Sequence, residues 1–261
     1  MNWRVGVVGS PIEHSRSPQL QVAGLKLAGL EGNSTRVELG LRDADQLREL
    51  LTSRFDAISV TSPLKHAAFE CCDELSDVAS RTQSVNSMLV RDGKILGAST
   101  DGEGFIEALN HEFGPVVENA HAVILGSGGA ASAILDALVD HGVASVVVHG
   151  RNEEKVKELT SRFKNTYSSS LVYRPVDLII NTVPVGGRGS EASVLQGVHH
   201  ESVAVDITYD PVITEWRKLY HEVGCRTMNG LAMLAFQAAL QMQWWWDVPL
   251  EGPKLLEVLH D

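Results

Sequence analysis

Cysteine is scarce in this chain of 261 residues, and its three cysteines form no C-x-x-C pair. Cys71 and Cys72 are adjacent, whereas Cys225 lies far along the chain. The ten histidines also show no H-E-x-x-H pattern. Disulfide scaffolds and structural zinc sites need several cysteines at regular spacing. The sequence therefore predicts no disulfide scaffold and no metal site, and its cysteine usage is typical of a reducing compartment.

Long apolar runs and an excess of positive charge are also lacking. No run approaches the roughly 20 apolar residues that cross a bilayer. The N-terminal stretch "MNWRVGVVGSP" is interrupted too early by Gly and Pro for a signal peptide. The net charge of −11 disfavours binding to nucleic acid or to an anionic membrane. We expect a cytoplasmic protein, monomer or homodimer, whose partner is a small molecule.

Short apolar β-branched runs alternate with helical stretches along the chain, which predicts an α/β fold. In the first half, we predict strands at "VGVV", "STRVEL" and "DAISV", and a helix over 43–51 with an Asp N-cap. The stretch 86–98 predicts a hairpin that turns at Asp92-Gly93. In the second half, helices separate most of the predicted strands "AVILG", "SVVVHG", "VDLIINT" and "SVAVDIT".

A glycine fingerprint begins the second half. The stretch "AVILGSGGAASAIL" places Gly126-x-Gly128-x-x-Ala131 after a strand and at the start of a helix. In a dinucleotide site the first Gly makes the tight turn, the second lets the backbone approach the pyrophosphate, and the small third residue allows close packing. The helix N-terminus adds free N–H groups and a partial positive charge. The context therefore predicts dinucleotide binding.

The end of the following strand indicates which dinucleotide binds. An NAD site usually has Asp or Glu there, to bind the ribose 2′-hydroxyl. This chain has Arg151 instead, with Lys155 four residues later on the same helical face. Two cations favour the 2′-phosphate of NADP. The alternative is that both cations pair with neighbouring glutamates.

Polar residues recur beside the predicted strand ends of the first half. Ser17 could equally be the N-cap of the following helix, Asp101 is also a common N-cap residue, and Lys65 could be a solvated surface lysine. Gln237 lies among apolar residues, where its amide needs a partner, either a ligand or a backbone carbonyl. The full set of candidates for a polar pocket is Ser15, Ser17, Thr61, Lys65, Asn86, Asp101 and Gln237.

Taken together, these stretches resemble the shikimate dehydrogenase family. The resemblance runs along nearly the whole chain, in order and at family spacing. The matching segments are "GSPIEHSRSP", "SVTSPLK", "DELSDVA", "SVNS", "STDGEGF", "GSGGAA", "INTVPVG", "DITYDP" and "NGLAMLAFQAA".

The resemblance implies an NADP-linked reversible reduction of 3-dehydroshikimate to shikimate. By analogy with the family, Lys65 and Asp101 form the catalytic pair at the reacting hydroxyl. The implied substrate-binding residues are Ser15 and Ser17 for the carboxylate, and Thr61, Asn86, Tyr209 and Gln237 for the remaining oxygens. The implied cofactor-binding residues are Asp77, Gly126, Ser127, Gly128, Gly129, Ala130, Arg151, Asn152, Lys155, Ile207 and Gly230.

The family's fold is an N-terminal α/β catalytic domain and a Rossmann-type dinucleotide-binding domain, with the C-terminal helices packing back on the first domain. In this chain the resemblance predicts a substrate-binding catalytic domain over 1–101, completed by 232–261. It predicts an NADP-binding domain over 102–231.

The chain also departs from the family pattern beside several of these positions. The family usually has Asn at Ser59, Gly-Ala at Gln83-Ser84, Thr at Ser87 and Asn at Ser99. On the cofactor side, the departures are Ser132, Gly150, Asn152 and Gly187. These changes leave two alternatives open: a dehydrogenase of quinate or an amino analogue, and a ligand-binding homologue without turnover.

Overall fold

The computed structural model describes residues 2–168, 175–184 and 197–260. It divides into two compact units, which we call unit 1 (Met1–Phe105 with Leu234–Asp261) and unit 2 (Ile106–Met233). The domain limits predicted from the sequence, at 101/102 and 231/232, remain a prediction. Within the described ranges, no helix is both long and apolar enough to cross a membrane.

Unit 1 contains a mixed sheet with strand order β2-β1-β3-β5-β6-β4. Strand β1 is parallel to β2 and β3, whereas β5 is antiparallel to both β3 and β6. The strands are β1 Asn2–Gly9, β2 Glu31–Glu38, β3 Ala57–Val60, β4 Glu74–Leu75, β5 Ser87–Arg91 and β6 Lys94–Ala98. The hairpin β5–β6 turns where predicted, with positive φ at Asp92 (53°) and Gly93 (75°).

The helices of unit 1 cover this sheet and bury its apolar side chains. They are α1 Ser17–Leu27, α2 Leu47–Arg54, α3 Lys65–Cys71, α4 Asp77–Thr82, the start of α5 Asp101–Phe113, most of α9 Gly230–Trp246, and α10 Gly252–His260. One core cluster joins Leu47, Leu51, Ile58 and Leu64, all of them fully buried. Burial of such aliphatic side chains supplies most of the driving force for folding.

The C-terminal helix α10 packs on α1, as the fold-class prediction requires. Arg16 Nη1 donates to the carbonyl of Leu259 at 2.8 Å, and Gln19 Nε2 donates to the carbonyl of Val258 at 2.8 Å. The last turn of α10 is therefore held to the first turn of α1.

Unit 2 contains a parallel sheet with strand order β12-β11-β10-β7-β8-β9. Counted within the unit and read from β9, this order is 3-2-1-4-5-6, that of the Rossmann fold. The predicted α/β class is thereby confirmed. The strands are β7 His121–Leu125, β8 Ser145–His149, β9 Thr166–Ser168, β10 Val176–Asn181, β11 Val198–Asp206 and β12 Arg226–Met228, and the connecting helices include α6 Gly129–Asp140, α7 Glu153–Ser161 and α8 Glu215–Glu222.

Two expectations about where helices begin are wrong. The helix predicted over 43–51 is a 3-10 turn, Leu41–Gln46, followed by α2, and Asp43 has non-helical angles inside that turn rather than capping a helix. Ser17 is not an N-cap residue, because Arg16 holds that position and α1 begins at Ser17 itself. The family departure at Gly187 lies outside the described residues.

Candidate active site

The topology of unit 1 brings four loops to one edge of its sheet. Strands β1 and β3 are parallel and in register at Val8 and Val60, so the segments that follow them leave the same edge. Ser10 N donates to the carbonyl of Ser62 at 3.0 Å and joins the two segments. Asn86 precedes the antiparallel strand β5, and its carbonyl accepts from Val60 N at 2.8 Å. Because β6 is antiparallel to β5, the segment that follows β6 also begins at this edge.

Lys65 and Asp101 form an ion pair at this edge. Lys65 Nζ lies 2.5 Å from Asp101 Oδ2, and the two side chains are only 16% and 6% exposed. The interpretation of Lys65 as a solvated surface lysine is therefore wrong. Asp101 Oδ1 accepts a second side-chain hydrogen bond, from Asn86 Nδ2 at 2.9 Å. Both carboxylate oxygens of Asp101 are thus engaged by side chains from other segments of the chain.

Asn86 connects this pair to α9. Its Nδ2 also donates to Gln237 Oε1 at 3.1 Å, and its Oδ1 accepts from the backbone N–H of Thr100 at 2.9 Å. The other half of the Gln237 amide donates to the carbonyl of Leu234 at 2.9 Å. The buried amide of Gln237 therefore has both a side-chain partner and a backbone-carbonyl partner. A backbone carbonyl was one of the two partners that the sequence analysis left open, the other being a ligand.

A glycine in α5 allows the first turn of that helix to approach α9. A Cβ atom added at Gly104 would lie 2.5 Å from the Cα, Cβ and N atoms of Gln237. Two helix backbones pass this closely only where one of them has no side chain. The approach brings Asp101, one turn before Gly104, toward the part of α9 that carries Gln237.

The two serines that are predicted to bind a carboxylate lie in the loop after β1. Ser15 and Ser17 are 9% and 8% exposed, and Ser17 N donates to Ser15 Oγ at 3.3 Å. Arg36, on β2, donates to the carbonyl of Ser15 from Nε at 2.9 Å and from Nη2 at 2.6 Å. Sequence reasoning missed Arg36, since an isolated arginine in a half-exposed strand carries no motif. Thr61 follows β3 at the same edge, and its N–H donates to the carbonyl of Val8 at 2.9 Å.

In unit 2, the glycine fingerprint forms the turn between β7 and α6. Gly126 has φ of +113°, and a Cβ atom there would overlap Thr182 Oγ1. Gly128 is the N-cap residue of α6 and is exposed, and a Cβ atom added to it would meet nothing within 4 Å. Ala131 is fully buried. This tight, open turn with a free helix N-terminus fits a dinucleotide pyrophosphate, and it also contains Ser127, Gly129 and Ala130.

The end of β8 lies beside this turn. A Cβ atom on Gly150 would lie 3.3 Å from Ser127 Oγ. Arg151 and Lys155 are exposed, and within the described ranges neither has a carboxylate within the 4.0 Å that defines an ion pair. The glutamate of this helix that does pair, Glu153, contacts Lys157 at 4.0 Å. The pairing alternative is thus not observed among the described residues, and two exposed cations fit a phosphate. Asn152 caps α7 by accepting from Lys155 N at 3.0 Å.

His149, the last residue of β8, is a further polar residue that the sequence did not single out. Its carbonyl accepts from Gly126 N at 2.7 Å. Its Nε2 is buried, without a hydrogen-bond partner among the residues that the structure describes. Burial lowers the pKa of the His149 imidazole from its ordinary value, because the charged form loses hydration.

The remaining predicted residues are divided between the two units. Ile207 follows β11, and a Cβ atom on Gly230 would overlap its carbonyl, so these two residues adjoin in unit 2. Tyr209 lies two residues after Ile207 in the same unit. Asp77 belongs to unit 1, where it is exposed in the first turn of α4, a helix capped by Ser76. The roles of Asp77 and Tyr209 remain predictions.

Two family models match the chain. Residues 7–88 match the family described as shikimate dehydrogenase substrate binding domain, and residues 107–185 match the family described as shikimate / quinate 5-dehydrogenase. The first match contains the serine loop, Lys65 and Asn86, and the second contains the glycine turn and Arg151.

Curated proteins and solved structures are similar over almost the whole chain. A shikimate dehydrogenase (NADP(+)) of Exiguobacterium is 32% identical and covers 98% of both chains. The one of Roseobacter denitrificans is 32% identical over 92% of this chain and 91% of its own. The Thermus thermophilus shikimate 5-dehydrogenase, solved with NADP(H) and shikimate, is 30% identical, with a TM-score of 0.88 over 99% of this chain and 98% of its own. With these relatives and with the ion pair and the glycine turn in place, this chain belongs to the shikimate dehydrogenase family.

Proposed function

We propose that this protein is an NADP-dependent shikimate dehydrogenase, which interconverts 3-dehydroshikimate and shikimate. The observation that carries the proposal is the ion pair of Lys65 and Asp101, which is 2.5 Å long, largely shielded from water and bordered by neutral amides. A protein that only binds its ligand has little need for such a proton-transfer pair. Full-length similarity to proteins named shikimate dehydrogenase (NADP(+)) supports the choice of reaction.

The pair supplies the proton chemistry of the reaction. NADP, when bound, accepts or returns the hydride. The hydroxyl oxygen must lose its proton as the carbonyl forms and regain it in the reducing direction. We assign this transfer to Lys65 Nζ, which donates to the ring oxygen during reduction. Asp101 orients the amine through Oδ2 and holds Asn86 Nδ2 through Oδ1.

Neutral donors would hold the rest of the substrate. Ser15 and Ser17 are assigned to the carboxylate, which hydroxyl groups can bind without adding charge. Arg36 supports this assignment, because it fixes the Ser15 carbonyl with two hydrogen bonds. The side chains of Thr61, Asn86, Tyr209 and Gln237 are assigned to the remaining oxygens of the ring.

Residues of the glycine turn would hold the cofactor. The backbone over 126–130 is assigned to the pyrophosphate, and Arg151, Asn152 and Lys155 are assigned to the 2′-phosphate. Asp77, Ile207 and Gly230 are assigned to the nicotinamide end. The absence of an acid at the end of β8 supports NADP over NAD.

A spectrophotometric assay tests the reaction. Shikimate and quinate are each offered with NADP+ and with NAD+, and reduction of the nicotinamide is followed by absorbance. We expect turnover of shikimate with NADP+ to exceed that of the other three combinations. Turnover confined to quinate with NAD+ would overturn both the substrate and the cofactor assignments, and calorimetric binding of shikimate without any absorbance change would indicate a binding protein.

Substitution of Lys65 tests the assigned proton transfer. Lys65→Ala should lower kcat by about 10²–10⁴-fold, the usual contribution of a general acid–base group. Lys94→Ala is the matched control, because Lys94 forms an equally short ion pair with Glu74 in an exposed position. Near-normal turnover in Lys65→Ala would show that the assignment is wrong.

Two finer assignments complete the proposal. We place the protein in the cytoplasm, which its low cysteine content supports, and expect it to be a monomer or homodimer. Light scattering of the purified chain distinguishes the two masses.

A further inference from the structure

A chain of buried side-chain hydrogen bonds runs through unit 1 beneath the ion pair. It joins Gln21 of α1, Ser59 of β3 and Gln241 of α9, which are 1%, 8% and 1% exposed. We call these three residues the buried polar chain. None of them belongs to the residues assigned to substrate, cofactor or proton transfer. Buried amides and hydroxyls are costly unless they are fully paired, so a continuous set of them needs a reason.

Backbone carbonyls at both ends fix the direction of the buried polar chain. Gln21 Nε2 donates to the carbonyl of Gly6 at 3.0 Å and to Ser59 Oγ at 2.8 Å. Gln241 Nε2 donates to the carbonyl of Asn86 at 2.8 Å. Because a carbonyl can only accept, neither amide can be turned around without placing oxygen against oxygen.

Ser59 joins the two amides with its single hydroxyl. It accepts from Gln21 Nε2 and donates to Gln241 Oε1. Its one proton is therefore committed to Gln241, and this bond holds the Gln241 amide in the orientation that lets Nε2 reach Asn86. Without the hydroxyl, Gln241 Oε1 would lose its donor in a site that excludes water.

The buried polar chain ends on Asn86, the residue that connects the ion pair to α9. The carbonyl of Asn86 accepts a hydrogen bond from Gln241 Nε2, while Asn86 Nδ2 donates one to Asp101 Oδ1 at 2.9 Å. The peptide group and the side chain of Asn86 share one Cα atom. Any shift of the peptide therefore moves Asn86 Nδ2 relative to the carboxylate.

We propose that Ser59 and Gln241 are positioning residues, which hold Asn86 and, through it, Asp101 in the geometry needed for proton transfer. Neither residue is assigned a contact with the substrate. The inference rests on the proposed function for the role of Asp101. Its structural part, that Gln241 sets the position of the Asn86 side chain, is testable whatever the substrate.

Kinetics of two single variants and their double variant test the proposal. Gln241→Met keeps the size of the side chain but donates no hydrogen bond to Asn86, and Ser59→Ala removes the joining hydroxyl. Each should lower kcat/KM for shikimate by about tenfold, the effect of one net hydrogen bond. The double variant should be no slower than either single variant, because both break the same connection. The KM for NADP+ should not change.

Ser34→Ala is the matched control. Ser34 donates to Gln21 Oε1 at the outer end, but Gln21 remains held by the carbonyl of Gly6. This variant loses one hydrogen bond of the same kind and should keep wild-type kinetics. Circular dichroism establishes that each variant is folded at the assay temperature, so that a loss of stability alone does not change kcat/KM.

An NMR measurement separates this proposal from the proposed function. The side-chain amide resonances of Asn86 should shift in Gln241→Met and stay in place in Ser34→Ala. If the wild type does not oxidise shikimate but Asn86 shifts as expected, the positioning stands and the assigned substrate is wrong. An unshifted Asn86 signal in Gln241→Met, or multiplicative losses in the double variant, would overturn the positioning.

Discussion

At the scale of single residues, burial rather than distance distinguishes two equally short lysine–carboxylate pairs of unit 1. Lys65 and Asp101 are 2.5 Å apart, as are Lys94 and Glu74. The side chains of the second pair are 60% and 56% exposed, so water screens them. The first pair is shielded from water, where charges interact more strongly. Lys65 therefore suits chemistry, whereas Lys94 is an ordinary surface charge.

Burial of His149 predicts a pH dependence of stability. The pKa of this imidazole is lower in the folded chain than its ordinary value of 6.5. Between these two pKa values the unfolded chain binds a proton that the folded chain does not, so stability rises with pH. The contribution is fully present above the ordinary pKa and decreases as pH falls below it. We expect the free energy of unfolding to decrease on acidification from about pH 8 to pH 5.

Two neutral replacements of His149 separate titration from packing. His149→Gln and His149→Phe differ in shape, yet both should reduce the slope of unfolding free energy against pH, measured by urea denaturation. A slope that is unchanged in both variants would contradict the prediction.

Arg151 and Lys155 predict the cofactor preference. If both cations bind the 2′-phosphate, Arg151→Ala and Lys155→Ala should each raise the KM for NADP+ by about tenfold, the effect of one charge-assisted hydrogen bond. The KM for NAD+ should not change, because NAD lacks this phosphate. Lys157→Ala on the same helix is the control, since Lys157 already pairs with Glu153. Equal effects on both cofactors would refute the assignment.

At the scale of elements, most of the candidate site residues lie where strands end and helices begin, whereas Gln237 lies within α9. The strands β1, β3, β7 and β8 were predictable because each is a short apolar run bounded by turn residues. The strands β9 and β12 were not predicted, since three residues are too few to show a period. Asp43 was predicted as a cap from its residue type alone, but a 3-10 turn places it inside the element.

The first two glycines of the fingerprint should respond differently to alanine. Gly126 has positive φ, and its added Cβ would overlap Thr182, so Gly126→Ala should destabilise the protein by about 1–3 kcal/mol. Gly128 has extended angles and open space, so Gly128→Ala should change stability by only about 0.5 kcal/mol.

The added methyl group of Gly128→Ala would instead lie where the pyrophosphate approaches, and should raise the KM for NADP+ by at least about tenfold. Thermal unfolding and initial-rate kinetics of both variants check the contrast. Wild-type cofactor kinetics in Gly128→Ala would contradict the assignment of this turn.

At the scale of the whole molecule, the strand order determines that the glycine turn lies where a ligand would bind. In unit 2 the order reverses between β7 and β10, and ligands of such sheets bind beyond the carboxyl ends of the strands at this point. The turn follows β7 directly. The protein carries a net charge of −11, so cations at this end of the sheet would have to attract phosphate locally rather than through the overall charge.

Cofactor binding should therefore stabilise unit 2. NADP+ at a concentration of 100 times its Kd adds about 2.7 kcal/mol, which raises the midpoint of thermal unfolding by about 10 °C. Trp216 lies in unit 2, whereas Trp3 and the tryptophans at 244–246 lie in unit 1. The fluorescence of Trp216, obtained as the difference between the wild type and Trp216→Phe, should report this shift of the unfolding midpoint. Lys65→Ala should keep the shift and Gly128→Ala should lose most of it. A larger shift with NAD+ than with NADP+ would contradict the cofactor assignment.

The sequence by itself determined the α/β class, the hairpin at Asp92-Gly93, the glycine turn and most candidate residues, because these depend on local periodicity, turn chemistry and motif spacing. The family resemblance already paired Lys65 with Asp101, but only the tertiary structure decided that this pair is buried and held by Asn86, and that Arg36 holds the Ser15 loop. It alone also revealed that Ser59 and Gln241, 182 residues apart, share a buried hydrogen bond. Such contacts depend on which distant segments the sheet and helices bring together, and no local pattern of residues encodes them.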